Sequence, residues 1–182
     1  MLENWVVVPT CLPTVLRRCH ACASERFRAN GKFRINANHK LLDAWLLVLC
    51  TACGETAKLT VFERTNVRSV RPQMLDRMHD NDPGLAAELL QDPVVRRRSR
   101  VALDWDDAWR LDTGGSDHPD REVIDVSVRF AARIPVRPVR LIAEGCGLSR
   151  SGVEKLIADG KLVSAARLSG KLSGDFTFTL RR

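Results

Sequence analysis

The sequence predicts a mixed α+β protein, and three observations carry that prediction. Strand-length apolar runs surround two Cys-x-x-C pairs, Cys19/Cys22 and Cys50/Cys53, in the first 65 residues. Residues 66–103 change to helical spacing, punctuated by the dipeptides Asp82-Pro83 and Asp92-Pro93. The last third joins one alternating strand to two short helical runs parted by glycines. These shifts divide the chain into three consecutive segments. Residues 1–65 carry the cysteine pairs on an antiparallel sheet, 66–121 are a short helical segment with a linker, and 122–182 are an αα-β unit.

In the first segment, residues 4–8 read as a short strand closed by Pro9 and Pro13. Residues 12–18 lead into the first cysteine pair. Asn30-Gly31 stands between Arg26-Phe27-Arg28-Ala29 and Lys32-Phe33-Arg34-Ile35 and predicts a hairpin through a type I′ turn. An apolar strand, 44–49, enters the second pair, and 58–62 leaves it. The order knuckle, hairpin, strand, knuckle, strand resembles a zinc ribbon with an enlarged hairpin. That resemblance implies a structural Zn²⁺ held by Cys19, Cys22, Cys50 and Cys53. The 27 residues between the pairs exceed the usual ~15–20, but lengthening a loop costs little entropy. His20 and His39 could each substitute as a ligand, yet four thiolates already close a tetrahedron and leave no open catalytic position. Residues 14–65 hold few large apolar side chains outside 41–49, so a metal is expected to supply part of the folding free energy. Cys11 and Cys146 are left over and read as small buried apolar residues.

Pro72 suits a first helical position, with Met74, Leu75 and Met78 on one face. Asp82-Pro83 and Asp92-Pro93 each read as an N-cap followed by Pro at N1, and Leu85, Leu89 and Leu90 give the helix between them an apolar stripe. Arg96-Arg97-Arg98-Ser99-Arg100 reads as a solvated, dipole-matched helix end. Trp105 and Trp109 read as core. Residues 112–121 are the linker, and His79 and His118 read as surface residues. Ile124, Val126, Val128 and Phe130 alternate with polar residues as a half-buried strand does.

The net charge of +7 is unevenly placed along the chain. Residues 1–128 hold 18 Lys and Arg against 18 Asp and Glu, whereas 129–182 hold 11 against 4. An end so charged points to a polyanion. It begins with a short helix from Arg137 to Glu144, stopped by Gly145-Cys146-Gly147. A second helix follows, capped by Ser149 or Ser151, with Val153, Leu156 and Ile157 on its buried face and Gly160 before a strand. Gly147-Leu148-Ser149-Arg150, Val153, Leu156-Ile157, Gly160 and Leu162, with the later Gly174-Asp175-Phe176, resemble the alpha-L RNA-binding domain. That domain is named for a small-subunit ribosomal protein and recurs in pseudouridine synthases and tyrosyl-tRNA synthetase tails. The resemblance spans about residues 135–182 and implies contact with structured RNA along the phosphate backbone. The candidate nucleic-acid-binding residues are then Arg137, Arg140, Ser149, Arg150, Lys155 and Lys161. Gly152 stands where that family has Glu or Gln, so a reciprocal capping box is absent. Cysteine pairs in front and this pattern behind also resemble an uncharacterised family of bacterial proteins designated only as a domain of unknown function.

The function read from these features is that of a non-catalytic, zinc-stabilised RNA-binding protein. A DNA-binding regulator built on the same two helices and a zinc-ribbon protein-interaction module are the alternatives. Residues 66–128 carry no phosphate loop, GxSxG or HExxH, which speaks against an enzyme. No apolar run reaches the ~20 residues of a membrane span. Paired cysteines without a leader-like start place the chain in the cytoplasm.

Overall fold

A computed structural model describes residues 2–115 and 122–181. The second half of the expected linker, 116–121, lies outside the described residues, and His118 with it. The chain is α+β, with five α-helices and two five-stranded sheets among the described residues. It forms two compact units. One is Leu12–Asp104, and the other joins residues 2–11 to the chain beyond residue 104. The first strand, β1 (Leu2–Pro9), belongs to the latter.

The Leu12–Asp104 unit is an antiparallel sheet of β2 (Thr14–Leu16), β3 (Arg26–Asn38), β4 (Leu41–Cys50), β5 (Thr56–Asn66) and β6 (Ala102–Asp104), in the order β5-β4-β3-β2-β6. Strict alternation along β4 puts Leu42, Ala44, Leu46, Val48 and Cys50 on the buried face. The hairpin expected at Asn30-Gly31 does not form. β3 runs straight through as 13 residues, and the two extra residues it carries between Ala29 and Phe33 make a bulge against Val48 and Leu46. Gly31, with φ 74°, supplies the left-handed backbone of that bulge. The reason is the partner: β4 is long enough to pair both halves of β3, so continuing the ladder wins over turning. The chain turns instead at His39-Lys40, where Asn38 pairs with Leu41 and His39 takes φ 55°.

Helices α1 (Pro72–His79), α2 (Pro83–Gln91) and α3 (Pro93–Ser99) start where the prolines predict. The Asp82 carboxylate accepts from the Leu85 N–H at 2.9 Å, and that of Asp92 from the Val94 N–H at 2.7 Å. Arg77 links the N-cap of α2 to its middle, pairing with Asp82 and Glu88 at 3.0 Å each. The Arg77 hydrogen bond, then the Leu85 N–H, hold the Asp82 carboxyl below the usual carboxylate range. Met78, Leu85, Ala86, Leu89, Leu90 and Val95 close over Phe27, Leu46 and Leu59. The sheet bearing the cysteines therefore has a sizeable core, contrary to the expectation from residues 14–65 alone. The arginine-rich end of α3 has a structural job: Arg98 donates to the Val61 carbonyl at 2.9 Å, and Ser99 Oγ accepts from the Thr60 N–H at 2.9 Å. Both bonds cover the outer edge of β5, which would otherwise present unpaired backbone.

In the other unit, β7 (Trp109–Asp112), β8 (Val123–Phe130), β9 (Leu162–Ser164) and β10 (Phe176–Arg181) form a sheet with β1 in the order β7-β1-β8-β10-β9. β1 lies parallel to β8, with Trp5 opposite Val128, and antiparallel to β7. The expectation that residues 4–8 belong to the cysteine-bearing sheet is thus corrected. Trp5 and Val7 find their burial here, Trp5 edge-on to Phe178 at 5.4 Å. Helices α4 (Pro138–Cys146) and α5 (Arg150–Ala158) follow, and then β9, the expected αα-β order. α4 does not stop at Gly145. It continues to Cys146, and Gly147, with φ 64°, makes the C-terminal cap. Ser149 caps α5 by accepting from the Gly152 N–H at 3.0 Å. Trp105 and Trp109 are buried, as expected, whereas Cys11 is exposed and Cys146 half-buried. A one-cysteine expectation of burial fails at Cys11 because the residue follows the last pairing of β1.

Candidate metal centre and basic cluster

Each cysteine pair sits on a tight turn of one design. The N–H of its first cysteine donates to the carbonyl five residues on, Cys19 to Ser24 at 2.7 Å and Cys50 to Glu55 at 2.8 Å. The residue four beyond that cysteine is left-handed, Ala23 with φ 60° and Gly54 with φ 75°. β3 leaves the first turn, β4 enters the second, and Phe27 pairs with Cys50. The long gap between the pairs is consumed by these two strands, whose antiparallel pairing returns the chain to its start. Thr51 then ties the turns together, its N–H and hydroxyl donating to the Arg26 carbonyl at 2.9 and 3.0 Å.

The four sulfurs lie within 4.8 Å of one another. Cys19 and Cys53 Sγ are 3.7 Å apart, and Cys22 and Cys50 Sγ 3.6 Å, far beyond the ~2.05 Å of a disulfide. Cys19 and Cys50 are buried, while Cys22 and Cys53 face outward. The Cys53 N–H, with help from that of Ala52 and the neighbouring thiols, lowers the Cys50 thiol to about 6. Cys53 has the opposite fate. The Glu55 N–H favours its thiolate, but the sulfurs of Cys22, Cys50 and Cys19, with desolvation, push it up to about 12. Four thiolates this close repel one another unless a cation sits among them, and a divalent ion removes that penalty. The four cysteines could thus hold a metal ion. His20 and His39 are exposed and stand outside the group.

Ala23 takes a backbone that favours glycine, and its side chain is exposed. Ala23→Gly is expected to stabilise the unit by ~0.5–1 kcal/mol, the left-handed cost of alanine less the added freedom of the unfolded chain. Gly54→Ala is expected to do the reverse. Thermal unfolding of both variants checks the paired signs.

Six residues were expected to meet nucleic acid. Arg137, Arg140 and Arg150 come together, lining a cavity of about 300 Å³ with Lys171, Trp109 and Asp106. Arg140 is engaged there, its guanidinium over the Trp109 ring at 5.3 Å and 3.5 Å from the Asp106 carboxylate. Arg137, Arg150 and Lys171 form no ion pair among the described residues. The Ser149 hydroxyl is used as the α5 cap and meets Ser151 Oγ at 3.0 Å. Lys155 and Lys161 are exposed and do not line this cavity. Lys171 escaped the sequence reading. It lies in an irregular loop, which the bridge of Val136 to Leu172 fastens just before α4. The left-handed residue closing each cysteine turn was also missed, although a small residue directly after each Cys-x-x-C was a signal for it.

No helix among the described residues is long and apolar enough to cross a membrane. Neither the curated proteins nor the solved structures contain a match to this chain. The profile of the family described as "Protein of unknown function (DUF1062)" matches residues 35–168, a span that includes Cys50 and Cys53 and begins after Cys19 and Cys22. That span is well over half of the chain, which therefore belongs to the DUF1062 family of proteins of unknown function.

Proposed function

We propose that this is a non-catalytic RNA-binding protein whose cysteine centre holds a structural Zn²⁺. The observation that carries the RNA reading is the meeting of Arg137, Arg140, Arg150 and Lys171 at one cavity, with three of the four unpaired among the described residues. Unpaired guanidinium and ammonium groups held together are suited to phosphates, which release condensed counterions when they bind. The alpha-L resemblance supports structured RNA over single strands, as does the scarcity of exposed rings: Phe176 and Phe178 are both buried. Zinc is the ion that suits the donor set. Four sulfurs at its ~2.3 Å bond length are spaced ~3.8 Å apart, close to the 3.6 Å from Cys22 to Cys50 and the 3.7 Å from Cys19 to Cys53 across the two turns. Four thiols kept for a metal suit a reducing compartment such as the cytoplasm.

The test is a mobility shift of the full chain with a structured RNA over a salt series, with duplex DNA as competitor. The full chain is required because residues 122–182 alone lack β1, the strand between β7 and β8. Binding that weakens with salt, and that drops about tenfold when Arg137 and Arg150 are both changed to Gln, is expected. Absence of salt-dependent binding overturns the reading, and preference for duplex DNA replaces it with a DNA-binding one.

A further inference from the structure

A second, larger cavity of about 660 Å³ opens off the same arginines. Arg137, Arg140 and Arg150 line both cavities, whereas Ile157, Leu162 and Leu168 line only the larger. The arginines therefore stand where the two spaces meet, and an aliphatic wall extends from them. Arg167 adds a fourth guanidinium, hydrogen-bonded to Ser169 at 2.7 Å. Glu154, one helical turn beyond Arg150, places a single carboxylate in the wall. The volume falls in the range of small-molecule sites, ~300–1,000 Å³.

We infer that this cavity takes a nucleoside phosphate, with the phosphate on Arg137, Arg150 and Arg167 and the base against Ile157, Leu162 and Leu168. A bare phosphate gains from the arginines but is repelled by Glu154 and leaves the aliphatic wall wet. A ligand that carries hydroxyl or amino donors beside its phosphate turns Glu154 into a hydrogen-bond acceptor, as a ribose or a base edge does. A planar base covers the apolar wall at little conformational cost. Arg140 contributes charge but stays on Trp109, so the ring is not the stacking surface. The nucleotide is either free or a unit of an RNA chain. The second source deepens the RNA reading above and rests on it.

The experiment is isothermal titration of the full-length, metal-loaded protein with the four nucleoside monophosphates, the four nucleosides and inorganic phosphate, followed by displacement of bound structured RNA with the best of them. At least one monophosphate is expected to bind ten or more times more tightly than its nucleoside and than phosphate. Arg150→Gln is expected to weaken it about tenfold, Ile157→Glu to abolish it, and Arg133→Gln, an exposed arginine outside the cavity, to leave it unchanged. A monophosphate no tighter than phosphate, or equal affinity in Arg150→Gln and wild type, overturns the inference. RNA binding that no nucleotide displaces and Arg150→Gln does not weaken, beside Arg150-dependent nucleotide binding, upholds the cavity with a free nucleotide as its ligand and removes the arginine cluster as the RNA site. Arg150-dependent nucleotide binding without any RNA binding upholds the cavity with a free nucleotide as its ligand and removes the RNA reading.

Discussion

Stripping the metal, or changing Cys50 to Ser, is expected to lower the thermal midpoint of the Leu12–Asp104 unit by roughly 15 °C or more. In isolated zinc fingers the ion supplies ~10–16 kcal/mol of apparent folding free energy. Here the core of Phe27, Leu46, Leu59 and α1–α3 holds the sheet without it, so only part of that is at stake. About a third of it, at ~4–8 °C per kcal/mol for a unit of this size, gives the stated shift. The damage should start at the paired turns, which Thr51 joins through its hydrogen bonds to the Arg26 carbonyl. Scanning calorimetry with and without a chelator, with zinc returned, gives the shift, and elemental analysis should find about one zinc per chain.

The pH dependence has a definite sign. Thiols must lose protons to bind the ion, so affinity falls as the pH is lowered. The fall steepens once the pH passes about 6, where even Cys50 takes up a proton. Protein with no bound metal, or a midpoint indifferent to chelation, overturns the metal centre.

Gly145→Ala is expected to lower the midpoint of the other unit by about 10 °C, although alanine is the better helix former. In an isolated helix the change gains ~1 kcal/mol. In α4 the added methyl falls well inside contact distance of Trp5 Cζ3 and Cη2, and 2.9 Å from Leu111 Cδ2. Trp5 is 3% exposed and locked against Phe178, so the indole cannot step aside. Overpacking of this kind costs ~1–3 kcal/mol or more, and against a rigid ring the upper end applies. Adding Trp5→Phe to Gly145→Ala should recover part of the loss by shortening the ring that is struck. A midpoint raised by Gly145→Ala alone is the contrary result, because it means that helix propensity decides at this position and packing does not.

The residues legible in advance were those governed by short-range rules. Asp82 and Asp92 start helices because a carboxylate beside a proline satisfies the first free N–H groups, which involves four or five residues. Val123–Phe130 alternates because its own two faces differ in solvent. The four cysteines were legible because Cys-x-x-C aims two sulfurs at one point whatever surrounds it. Asn30-Gly31 misled for the complementary reason. Its turn preference is real, but the pairing energy of β4 along both halves of β3 is larger, and that partner begins ten residues away. Gly145 misled likewise, since a helix stop and a close approach both call for a missing Cβ, and only Trp5 tells them apart.

Charge illustrates the boundary most sharply. Along the chain the whole excess of +7 falls in residues 129–182. Grouped by unit, residues 12–104 carry 16 Lys and Arg against 10 Asp and Glu, and the remainder carries 13 against 12. The basic tail shares its unit with Asp106, Asp107, Asp112 and Asp125, so what it offers a polyanion is a local convergence of arginines and not a basic half. The α+β class, the helix starts, the alternating strands and the cysteine quartet all follow from neighbours along the chain. That β1 joins β8, that Gly145 receives an indole, and that Arg137, Arg150 and Lys171 meet are visible in the folded chain alone. Those outcomes depend on which apolar faces bury one another, and burial is settled between residues distant in sequence.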